Sequence, residues 1–80
     1  MGMIIDHIKA NIYYFECAYN KSPERIFIST PLLRELKSEN TVVYYHRDGG
    51  YMTCCGILVE EFYSDKLEYY LAESGFKIEI

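Results

Sequence analysis

The chain has 80 residues, of which 50% are hydrophobic and 25% charged, a balance that excludes intrinsic disorder and allows one small domain over residues 1–80. Its longest apolar runs, at 12–15, 41–45 and 57–59, fall far short of the roughly 20 residues that cross a bilayer, so no membrane partner is expected. A net charge of −4 and a pI near 5.0 disfavour direct nucleic-acid binding, which draws on a surplus of Lys and Arg.

Met1 and Gly2 read as a cloning scar ahead of a start at Met3. Residues 3–10, with Ile4, Ile5 and Ile8, suit either a short helix or a strand, and the strand is slightly favoured. Residues 12–19 are aromatic and β-branched and apolar on both faces apart from Glu16, which predicts a central strand covered on two sides. Asn20-Lys21-Ser22-Pro23 supplies turn chemistry, and a short strand is expected at 25–28. Thr30 is then placed to cap a helix with Pro31 in its first turn. Leu32, Leu33 and Leu36 share that helix's inner face, and Glu39-Asn40 marks its stop.

Residues 41–46 and 51–61 read as two strands of a hairpin joined through Gly49-Gly50, whose glycines supply the positive φ of a tight loop. Ser64 is expected to cap a second helix running to Ser74, with Leu67, Tyr70 and Leu71 inward, an acidic outer face and Gly75 closing it. The alternation of residues 76–80 predicts a last strand. The expected order is β-β-β-α-β-β-α-β, an α+β domain with two helices packed on one face of a small, mainly antiparallel sheet.

The stretch 23–36 runs an Ile-x-Ile-Ser strand into a Leu-Leu-x-x-Leu helix. Together with the Gly-hydrophobic-x-Val run at 56–59, it resembles a segment of tailed-phage major capsid proteins. The resemblance covers under half of the chain and implies neither a fold nor functional residues for it.

Three cysteines without a secretory leader point to a reducing cytoplasm rather than a disulfide scaffold. Cys54 and Cys55, as successive strand residues, are expected to point their sulfurs to opposite faces and to act as packing groups. His7, Cys17 and His46 lack the paired spacing of a structural metal site, so no metal or cofactor is expected. No nucleophile elbow, phosphate loop or zinc-protease motif occurs, which leaves a cysteine-dependent enzyme using Cys17 or Cys54 as a minor alternative.

Tyrosine is the most informative residue, with nine in the chain. The bland reading makes these rings half-buried sheet residues. The functional one puts Tyr14, Tyr19, Tyr44 and Tyr51 in a protein interface, because tyrosine joins an apolar body to a polar tip. Residues 41–80 carry seven acids against three bases, so a second candidate surface is Glu60, Glu61, Asp65, Glu68 and Glu73 on the expected second helix. That surface could steer a basic partner or imitate a phosphate backbone; such runs are more often solvated faces. The expectation is a small acidic, non-enzymatic protein-binding module, cytoplasmic and homodimeric, of the kind found among phage and mobile-element accessory or inhibitor proteins. A self-assembling, virion-associated structural protein is the alternative.

Overall fold

The computed structural model describes residues 3–47, 49–72 and 78–79. The chain runs α1 (Met3–Tyr19), β1 (Arg25–Ser29), α2 (Thr30–Ser38), β2 (Val42–Tyr45), β3 (Tyr51–Cys54), β4 (Ile57–Phe62), β5 (Glu68–Leu71) and β6 (Ile78–Glu79). The six strands form one sheet in the order β2-β3-β4-β1-β5-β6, in which β1 and β4 are parallel and the other pairs antiparallel. The α+β class, the mainly antiparallel sheet and the pair of helices agree with the sequence; the order of elements does not.

The first correction is α1. Residues 3–19 form one helix of 17 residues, which takes the helical alternative for 3–10 and overturns the strand expected at 12–19. Ile5, Ile8, Ile12 and Phe15 are buried and lie three or four residues apart, which lines them along one helical face. A strand would send Tyr13 and Tyr14 to opposite faces, whereas on the helix both are exposed, away from the buried stripe. Burying each of the four apolar side chains contributes about 1.5–3 kcal/mol, more than the β preference of Ile, Phe and Tyr can oppose. Asn20, at φ 58, ends the helix in the left-handed region that Asn tolerates, with its N–H donating to the Glu16 carbonyl.

The central strand is therefore β1, hydrogen-bonded on both sides, with Ile26 and Ile28 in the core. It runs directly into α2, which buries Leu32, Leu33 and Leu36 as expected. The cap position falls to Ser29, without a side-chain cap bond, and Thr30 Oγ1 instead donates to the Phe62 carbonyl at 3.3 Å. Asn40 (φ 59) closes α2 in a Schellman arrangement: its N–H donates to the Lys37 carbonyl and that of Thr41 to Leu36.

The hairpin of β2 and β3 forms as expected, with Tyr45 opposite Tyr51 and positive φ at Gly49 and Gly50. The second strand of that hairpin, however, stops at Cys54. Cys55 (φ 57) and Gly56 (φ 79) make a two-residue turn, and β4 then folds back on β3. Two positive φ values are what such a turn needs to match the twist of its strands.

The last correction concerns residues 64–74. Residues 68–71 form β5, not a helix, and complete the second edge of β1. Tyr69 and Leu71 alternate into the core, a period of two that outweighs the helical spacing of Leu67 and Leu71. The described residues of the expected acidic helix, 64–72, form no helix. Glu68 is buried, its carboxylate accepts a hydrogen bond from Ser64 Oγ, and its backbone N–H donates to Ser29 Oγ at 3.1 Å. Gly75, Glu73 and most of the expected last strand lie outside the described residues; Ile78 and Glu79 are strand.

Candidate functional site: the outward sheet face and its cleft

The register divides the strands into two sets of side chains. Ile26, Ile28, Cys54, Ile57, Val59, Tyr69 and Leu71 belong to one core cluster with the buried residues of α1 and α2, and the partly buried Val42, Met52 and Ile78 pack against it. Both helices touch this set: His7 and Asn11 of α1 meet the Tyr69 hydroxyl, and Lys37 of α2 lies 5.5 Å from the ring centre of Tyr44. Tyr44 falls in the same set by its pairing with Met52.

Residues of opposite parity form the outward face: Val43 and Tyr45 on β2, Tyr51 and Thr53 on β3, Leu58, Glu60 and Phe62 on β4, Arg25 and Phe27 on β1, and Tyr70 on β5. Val43, Tyr45, Tyr51 and Leu58 are 51%, 43%, 42% and 38% exposed, so this is an apolar surface left to solvent. Tyr45 and Tyr51 stack with ring centres 4.8 Å apart, and Phe27 and Tyr70 stack at 4.7 Å with Phe62 tilted against Tyr70. Between the two aromatic groups Arg25 Nη1 meets Glu60 Oε2 at 3.1 Å. The pair is solvent-exposed and adds little stability, but it neutralises the charge at the centre of the face.

Strands β3 and β4 pair only through Thr53 with Leu58 and Cys54 with Ile57. Beyond those pairs they splay apart and leave a cleft of about 460 Å³. One wall holds Tyr44, Tyr45, Tyr51 and Met52, and the other runs from Leu58 to Glu61. A shallower hollow between Tyr45, Tyr51, Thr53 and Leu58 continues from it. Tyrosine faces beside carboxylates suit a cationic or amphipathic side chain, since a ring's negative face attracts positive charge.

The residues singled out from sequence are distributed over several surfaces. Tyr51 lies on the outward face and Tyr44 at the cleft, while Tyr14 and Tyr19 are exposed on α1. Glu60 and Glu61 line the cleft, Asp65 sits in the turn before β5, Glu68 is buried, and Glu73 lies outside the described residues. Tyr45, Leu58, Phe27 and Tyr70 were not singled out. Tyr45 was not legible either: strands expected at 41–46 and 51–61 would set His46 opposite Tyr51, whereas β2 ends one residue earlier and pairs Tyr45 with Tyr51. The other three depended on the register of β4 and β5.

The cysteines also need a correction. Cys54 Sγ and Cys55 Sγ are 3.9 Å apart instead of diverging, because Cys55 belongs to a turn and not to a continuous strand. Burial first, and then the neighbouring thiol, push Cys54 up to about 12, opposite to the shift that activates a nucleophile. No group of three metal-ligating side chains occurs among the described residues, nor does any helix there have the length and apolarity to cross a membrane. No protein-family model matches the chain, and neither a curated protein nor a solved structure is significantly similar to it.

Proposed function

We propose that the protein is a non-enzymatic binding module that docks a partner protein on its outward sheet face, with a basic side chain of that partner entering the β3–β4 cleft. The observation that carries the reading is the exposed, contiguous surface of Val43, Tyr45, Tyr51 and Leu58 leading into a cleft edged by Glu60 and Glu61. Aromatic anchors supply most of the binding energy in such interfaces, and peripheral charge chiefly sets the encounter rate. Glu61 is the available carboxylate: it is exposed and has no ion-pair partner among the described residues, whereas Glu60 is already engaged by Arg25. Binding by occupation of a partner's surface is the mode of an accessory or inhibitor protein. Of the two surfaces expected from sequence, the aromatic sheet face carries this role, since the described residues 64–72 form no acidic helix.

Affinity capture with the intact protein and with Tyr51→Ala/Leu58→Asp tests the proposal. A stoichiometric partner retained by wild type and by Tyr13→Ala/Tyr14→Ala on α1, but lost by the sheet-face variant, supports it. Glu61→Gln is expected to slow association and flatten its salt dependence. A partner retained equally by the sheet-face variant overturns it.

A further inference from the structure

Strand β2 closes one end of the sheet, and no other described strand pairs with its outer edge. Exposed edges are ordinarily guarded by Lys, Pro, a bulge or a covering element. Residues 41–45, Thr-Val-Val-Tyr-Tyr, contain neither charge nor proline, and Val43, Tyr44 and Tyr45 are 51%, 51% and 43% exposed. We propose that β2 pairs antiparallel with β2 of a second copy of this chain across a two-fold axis, joining two six-stranded sheets into one.

The sequence of the edge is complementary to itself in this arrangement. With Val43 opposite the partner's Val43, Tyr44 faces the partner's Val42 and Tyr45 the partner's Thr41, so each aromatic ring meets a β-branched side chain. Such cross-strand pairs are among the favourable ones. An uncharged edge is also the part of a chain of net charge −4 that a second copy can approach with least repulsion. Because residues paired in this way keep the same face, the two outward aromatic surfaces become continuous. The inference shares Val43 and Tyr45 with the docking surface but uses their backbone edge, and its test reads the oligomeric state, whereas that of the docking reading reads partner retention by the Tyr51→Ala/Leu58→Asp variant.

Light scattering with size-exclusion chromatography tests it. The wild type is expected at twice 9.4 kDa. Val43→Lys and Val43→Glu each place like charges opposite one another and are expected to run as folded monomers, while an equimolar mixture of the two restores a dimer. Leu58→Asp, on the face and away from the edge, leaves the dimer intact. Far-ultraviolet circular dichroism and melting curves establish that the variants are folded. If the Val43 variants prove unfolded, the measurement passes to Tyr44→Lys, whose charge must desolvate against the partner's Val42 and is expected to weaken the dimer. A wild-type monomer, a dimer unaffected by these edge substitutions, or a dimer lost with Leu58→Asp overturns the proposal.

Discussion

The hydroxyl of Tyr69 lies 3.0 Å from Nδ1 of His7, a residue 62 positions earlier in the chain, and Asn11 Nδ2 donates to the same oxygen at 3.0 Å. Tyr69 is buried at 0% exposure, so this polar group joins the first helix to the fifth strand inside the core. Removing it with Tyr69→Phe leaves Asn11 one bond, to the His7 carbonyl, and takes the hydroxyl from His7 Nδ1 while the edge-to-face ring contact stays. A buried network of this kind is worth about 1–2 kcal/mol when one member is deleted, and urea unfolding is expected to show that loss.

The same tyrosine makes stability fall at alkaline pH. Burial raises it from 10.0 to about 12, the Asn11 hydrogen bond opposing the shift. The folded protein therefore holds this proton where the unfolded chain releases it. The contribution is complete below pH 10 and is lost as pH rises toward 12, on the order of 2 kcal/mol in all. Unfolding measured between those limits is expected to be steeper with pH in the wild type than in Tyr69→Phe. Equal slopes would contradict the assignment.

The turn between β3 and β4 predicts two substitutions of opposite sign. Cys55 holds φ 57, where a Cβ is strained and Asn is the preferred non-glycine residue, so Cys55→Asn is expected to stabilise by about 0.5 kcal/mol. Gly56 holds φ 79 with no atom within 4 Å of an added Cβ, so a substitution there is opposed by the backbone and not by crowding. Gly56→Val is expected to cost at least about 1–2 kcal/mol. Thermal melting of both variants is the check.

Thiol accessibility gives a third readout. Cys17 and Cys55 are exposed and Cys54 is buried. Two thiols per chain are expected to react promptly with an aromatic disulfide reagent in the folded protein, and the third only on unfolding. Burial raises the Cys54 thiol to about 12 and reinforces its inertness, because the thiolate is the reacting form. Prompt reaction of all three would show that the β3–β4 corner opens readily.

Local chemistry made β1, α2 and the glycine hairpin legible. Leu32, Leu33 and Leu36 have one helical face, Asn40 stops the helix, and Gly49-Gly50 forces a loop, each within a few residues. Residues 12–15 and 69–71 are different, since Ile-Tyr-Tyr-Phe and Tyr-Tyr-Leu fit a strand or a helix by composition alone. The decision came from what each segment packs against. Ile5, Ile8, Ile12 and Phe15 bury together as a helix, and β1 has a free edge that residues 68–71 satisfy with backbone hydrogen bonds.

The candidate surface divides in the same way. Composition determined that the chain is acidic, rich in tyrosine and short of cationic charge, and the glycines of the loop determined that two strands turn back there, while the register set Tyr45 instead of His46 beside Tyr51. Tertiary structure decided which rings reach solvent together, because the faces of β4 and β5 follow from register with β1, and a shift of one residue would exchange every inward side chain for an outward one. Long-range pairing set that register, through contacts between residues far apart in the chain.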